Sequence, residues 1–136
     1  MNEIMKATVI VTRDEMAYMV QRLLANIEEK ILEKIFYDEA IAGTLSEVFA
    51  IQEDGIEFTS RFISIPVSII KKPEESETDL SGRLASKIYN SIVERHKIAS
   101  VLVATDNSES IAGENSLGNF VTITKENRTI GTEASA

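Results

Sequence analysis

Ser46-Glu-Val-Phe-Ala-Ile-Gln-Glu-Asp-Gly-Ile-Glu-Phe-Thr-Ser-Arg-Phe-Ile-Ser-Ile-Pro-Val-Ser-Ile-Ile70 reads as two β-strands in succession. In residues 46–52, Val48 and Ala50 share one parity and Phe49 and Ile51 the other. Asp54-Gly55 follows, and Asp-Gly between apolar runs is the strongest short-range hairpin signal. The returning run sets Ile56, Phe58 and Phe62 on one parity but Ile63, Ile65, Val67 and Ile69 on the other. A strand of period 2 cannot change parity without an extra residue, so a bulge or break is expected at residues 60–62. Pro66 has no N–H to give a ladder, which assigns its surroundings to a sheet edge or a break.

On the N-terminal side lies one strand and one helix. Lys6-Ala-Thr-Val-Ile-Val-Thr12 is β-branched and predicts a buried strand. Thr12-Arg-Asp-Glu15 has the capping-box spacing, and a helix from residue 13 to about 37 is expected behind it. Met16, Val20, Leu23, Ile27, Ile31 and Ile35 form its apolar stripe, widened by Met19, Leu24, Leu32 and Phe36. Gly43 is the expected stop. On the C-terminal side, Thr78 or Asp79 is expected to cap a second helix with Leu80, Leu84, Ile88 and Ile92 at four-residue spacing. Arg95-His96-Lys97 places three cations at the negative end of its dipole. Ile98-Ala-Ser-Val-Leu-Val-Ala-Thr105 is apolar on both faces and predicts a central strand. Residues 106–119 read as a polar loop, and residues 120–133 as a closing hairpin.

The resulting order is β-α-β-β-α-β plus a C-terminal β-hairpin. It predicts an α+β fold in the ferredoxin-like layout, helices packed on one face of a mostly antiparallel sheet, with residues 1–136 as a single domain. The strands near 6–12 and 56–70 are expected at its centre. The first helix carries more apolar surface than one small sheet face needs; most of the stripe is expected in the chain's own core, and the surplus points to a helix–helix or subunit contact with Tyr18, Phe36 and Tyr37 as aromatic anchors.

Composition narrows the function. The chain has 136 residues, 14 Lys+Arg against 22 Asp+Glu, and a net charge of −8. Such a balance repels phosphate backbones and anionic membranes, so neither nucleic acid nor a membrane surface is an expected partner. With no Cys and one His, thiolate sites, disulfides, Cys nucleophiles and His-pair metal sites are excluded. No secretory signal and no membrane-spanning run is visible, so a cytoplasmic protein is expected. Ile outnumbers Leu 18 to 8, a bias that bears on source rather than function.

Few residues suggest chemistry. Gly113-Glu-Asn-Ser-Leu-Gly118 has the glycine spacing of a phosphate loop, but Asn119-Phe120 stands where Lys and Ser/Thr belong. His96 lacks an orienting carboxylate and reads as a helix-capping cation. Adjacent carboxylates such as Glu28-Glu29 do not converge on a helix. If a ligand site exists, the oxygen-rich 106–119 loop is the place for it, with Asp106, Asn107, Glu114 and Asn115 as candidate contacts and Arg83 or Arg128 available for an anion. No cofactor is expected. The leading expectation is therefore a small acidic accessory, assembly or regulatory protein that is not an enzyme. It would act as a homo-oligomer with another protein as partner. The alternatives are a small-molecule-binding domain or metal-independent enzyme using the 106–119 loop, and a shell or filament subunit.

Overall fold

A β-branched strand, β1 (Glu3–Arg13), runs through the middle of one antiparallel sheet in the computed structural model, which describes residues 2–96 and 98–113. Two helices follow, α1 (Glu15–Ala25) and α2 (Glu29–Leu45), then the short β2 (Ala50–Ile51), a 3-10 turn over Glu53–Gly55, β3 (Glu57–Phe58) and the long β4 (Phe62–Lys71). The chain continues through α3 (Glu77–His96), β5 (Ile98–Ala104) and β6 (Glu109–Gly113). The sheet order is β2-β4-β1-β5-β6, with β3 also on β4, and every pairing is antiparallel. Over the described residues the chain is thus an α+β protein, three helices with an antiparallel sheet. The expected hairpin at 120–133 lies outside the described residues.

Alternation sorts the sheet into two faces. Val9 stands between Ile65 and Val103, and Val11 between Ile63 and Val101. These side chains join Val67 and Ile69 in one buried cluster with Leu80, Leu84, Ile88 and Ile92 of α3 and Phe36 and Ala40 of α2. The four-residue stripe of α3 is therefore core, as its spacing predicts. On the opposite parity Ile10, Leu102 and Ala104 are buried with Phe62 against them, and Thr12 Oγ1 lies 2.8 Å from Ser100 Oγ. Burial on both faces makes β5 the interior strand its sequence describes.

The single helix expected over 13–37 is instead two. Asp14, not Thr12, is the N-cap, its Oδ1 accepting from the N–H of Met16 at 2.9 Å and of Ala17 at 3.4 Å. Thr12 remains inside β1. Asn26 adopts φ 54° and ψ 41°, a left-handed C-cap that ends α1. Asn reaches this region at lower cost than other non-glycine residues, so it can stop a helix in the middle of an unbroken apolar pattern. Past the break the buried line of α2 is Leu32, Phe36, Ala40, Gly43 and Thr44 rather than Ile27, Ile31 and Ile35. Gly43 is no stop. A Cβ there would meet Ile92 Cγ2 and Ser91 Oγ, each at 3.1 Å, so the glycine lets α2 approach α3. At the start of α3 the cap is Ser76, whose Oγ accepts from the Asp79 N–H at 3.0 Å, rather than Thr78 or Asp79. The side chains of Arg95 and His96, and residue 97, lie outside the described part.

The central stretch is also rearranged. α2 runs to Leu45, leaving only Ala50–Ile51 of the expected 46–52 strand. Asp54-Gly55 forms the helical turn, and the chain reverses later: the Thr59 N–H donates to the Phe62 carbonyl at 2.9 Å, and Thr59 Oγ1 accepts from the Phe62 N–H at 3.1 Å. The parity change expected at 60–62 is this reversal. β2 and β3 flank β4 in tandem, and the 3-10 turn between them sits opposite Pro66. The Pro66 carbonyl accepts from the Gln52 N–H at 2.9 Å, while the proline nitrogen faces a gap in the neighbouring strand. A Cβ on Gly55 would come within 2.8 Å of Pro66 Cγ, so the turn closes only over a glycine.

Candidate functional site

α1 turns its apolar side to solvent. Met16, Met19, Val20, Leu23 and Leu24, at i, i+3, i+4, i+7 and i+8, are 45–84% exposed. That spacing defines one face of a helix. Only Tyr18 of this helix is buried. On α2, Ile31 is 51% exposed. The stripe expected to lie mostly in the chain's own core is instead turned to solvent at Met16, Val20, Leu23 and Ile31.

Beneath α1 lies Arg13, the last residue of β1. It is 94% buried, an unusual place for a guanidinium. Its Cζ stacks 3.8 Å from the centroid of the Tyr18 ring and 4.9 Å from that of Phe36, a cation–π arrangement. Arg13 Nη2 donates to the Ser60 carbonyl, whereas Nη1 is buried with no hydrogen-bond partner among the described residues, as is the Tyr18 hydroxyl. Burial pulls the Arg13 pKa below its ordinary value, and the fields of Tyr18, Glu33, Glu29 and Glu15 act against that. Burial also raises the Tyr18 phenol, partly offset by Arg13. Both residues line a cavity of about 320 Å³ between α1 and α2, walled otherwise by Gln21, Leu24, Ala25, Ile27, Leu32, Ile35 and Phe36.

The aromatic anchors expected at a subunit contact take inward positions. Tyr18 and Phe36 are buried in the chain's own interior, and Tyr37 is half-buried with its ring 5.7 Å from that of Phe58 in an edge contact. The residues of α1 that do face solvent are aliphatic and carry no aromatic signal.

The 106–119 segment is not a long loop over its described part. Thr105 begins a tight turn, with its N–H donating to the Ser108 carbonyl at 2.8 Å, and β6 then pairs with β5. Asp106 and Asn107 sit in this turn; Glu114 and Asn115 lie outside the described residues. Asn107 Nδ2 donates to Glu77 Oε2 at 3.0 Å and Thr105 Oγ1 donates to Glu77 Oε1 at 2.7 Å. These two bonds hold the Glu77 carboxyl below its usual pKa. Ser81 Oγ lies 2.7 Å from Ser110 Oγ and 3.2 Å from Ser108 Oγ, joining the first turns of α3 to β6. Arg83 is committed to Glu75, at 2.9 and 3.1 Å. The arrangement tethers the β5–β6 turn to α3. Among the described residues no group of three or more His, Asp or Glu converges as a metal site, and no helix is long and apolar enough to cross a membrane.

Comparison of the chain with known protein families, with curated proteins and with solved structures returns no match.

Proposed function

We propose that this protein is a non-enzymatic accessory or regulatory protein of the cytoplasm that acts as a homo-oligomer, assembled through α1, and engages a further protein partner in that form. The observation that carries the reading is the stripe of five exposed apolar side chains on α1. Leaving such a face in water forgoes roughly 25 cal/mol for each Å² that could be buried, and contiguous exposed apolar patches mark interaction sites. A second copy of the same helix is the natural occupant. Glu15 stands in the first turn of α1 and Arg22 in its last. Antiparallel pairing about a two-fold axis sets each Glu15 near the Arg22 end of the other copy and opposes the two helix dipoles. The fold reading belongs to the same proposal. The order β2-β4-β1-β5, with helical crossovers from β1 to β2 and from β4 to β5, supports a ferredoxin-like layout extended by β6.

The test is native mass spectrometry of the wild type beside Leu23→Glu. Leu23 is 76% exposed, so the variant should keep its fold and lose oligomer order. Tyr18→Glu would not serve, because Tyr18 is buried. A wild type that is monomeric at tens of micromolar refutes the reading; a larger oligomer that Leu23→Glu leaves intact moves the interface away from α1.

A further inference from the structure

Two buried polar groups without hydrogen-bond partners among the described residues, Arg13 Nη1 and Tyr18 Oη, belong to residues that line one apolar cavity. An unsatisfied buried polar group costs about 1–3 kcal/mol, more when charged, so each is a liability in the empty molecule. We propose that the cavity between α1 and α2 is a binding site for a small monoanionic amphiphile, a carboxylate on a short apolar body, whose two oxygens accept from Arg13 Nη1 and Tyr18 Oη. This inference does not depend on self-association.

Three observations define the ligand class. The volume, about 320 Å³, is near the lower end for small-molecule sites. Leu24, Ile27, Leu32 and Ile35 supply an apolar wall for a hydrocarbon or ring. The charge is limited to one, since Nη2 is committed to Ser60 and the fields of Glu33, Glu29 and Glu15 reach Arg13. A dianionic phosphate would meet those carboxylates, with Nη2 already given to the Ser60 carbonyl. A monocarboxylate matches one charge and two donors.

Entry is through α1. The two polar atoms have almost no surface of their own exposed, and α1 forms the outer wall. Two of its ion pairs, Arg22–Glu29 at 3.6 Å and Arg61–Glu15 at 3.9 Å, are exposed contacts of small worth. Asp14 and Asn26 bound it at non-helical backbone positions, so a small outward displacement brings both donors to the lumen.

The experiment is a titration of the full-length ¹⁵N-labelled chain with sodium octanoate, followed by amide chemical shifts, with 1-octanol and inorganic phosphate in parallel. Octanoate should give saturable shifts centred on residues 13–36, with octanol at least about tenfold weaker and phosphate without effect. Arg13→Met should weaken octanoate by roughly ten- to a hundredfold. Because Arg13→Met removes a buried stacked residue and can unfold the chain, Ala25→Phe provides an independent variant. Ala25 is exposed on α1 and lines the cavity, so a larger side chain there occupies the lumen while Arg13 itself is unchanged. Binding should be lost in Ala25→Phe and unchanged in Leu23→Glu. Non-saturating shifts, octanol equal to octanoate, a saturable phosphate response, or wild-type binding by Ala25→Phe would each overturn the proposal. Loss in Leu23→Glu would overturn it as well, by placing octanoate on the outer stripe.

Discussion

Single side chains in this protein carry burdens that show up as inverted or pH-dependent stability effects. Tyr18 is the clearest. Its ring stacks under the Arg13 guanidinium, but its hydroxyl is buried without a partner among the described residues. Tyr18→Phe keeps the ring and removes the unsatisfied oxygen, so urea denaturation should show the variant equal to the wild type or about 1 kcal/mol more stable. A loss of more than that would mean the hydroxyl is bonded in solution. Glu77 gives a pH signature. Thr105 and Asn107 stabilise its carboxylate and depress its pKa in the folded chain. A carboxyl depressed on folding adds stability above its unfolded pKa, about 4.3, and loses that contribution as pH falls through the lower folded value. Glu77→Gln should therefore flatten the decline in melting temperature below about pH 4.5 relative to the wild type. An unchanged acid limb would show that the two hydrogen bonds do not favour the charged form.

The elements differ in how legible they are. α3 and β5 are readable outright because each has one unbroken period: four-residue spacing from Leu80 to Ile92, and burial on both faces from Ile98 to Ala104. The first helical region is misleading. Its stripe from Met16 to Ile35 is continuous in the sequence, yet one left-handed residue, Asn26, separates two helices that bury different lines. Periodicity registers side chains, and a single backbone dihedral leaves it unchanged. Pro66 is legible as a break but not as a break in its neighbour, because that depends on which strand lies alongside. The candidate cavity was legible only in fragments. The lining residues are 13, 18, 21, 24, 25, 27, 32, 35 and 36, and nothing in their spacing announces that Arg13 turns under a helix. Both element-level readings can be tested. Asn26→Ala should cost about 1 kcal/mol, since alanine resists the left-handed region, while Asn26→Gly should be close to neutral. Gly43→Val should cost about 1–3 kcal/mol by forcing α2 off Ile92 and Ser91. Equal stability of Asn26→Ala and Asn26→Gly would show that the α1–α2 break does not depend on this residue.

At the scale of the whole molecule, the assembly proposed above would link association to folding through mass action. The main core is complete without α1: the described cluster on the helical face of the sheet draws on α2, α3 and the strands, and α1 contributes no residue to it. Under the proposed assembly, association through the outward face of α1 adds free energy only to the native state. Any such term makes the apparent stability rise with protein concentration, by RT ln of the ratio of concentration to dissociation constant once that ratio is large. The wild-type melting temperature should climb by several degrees across a hundredfold range of concentration, following a free-energy change of about 2.7 kcal/mol distributed over the chain's unfolding entropy. Leu23→Glu places a carboxylate in the middle of the stripe, which should abolish the concentration dependence while leaving the dilute-limit melting temperature close to that of the wild type. The combination is diagnostic. A lower dilute-limit value with retained dependence would mean that Leu23 packs within its own chain, and a flat wild-type series would mean that the outward face of α1 waits for a different protein.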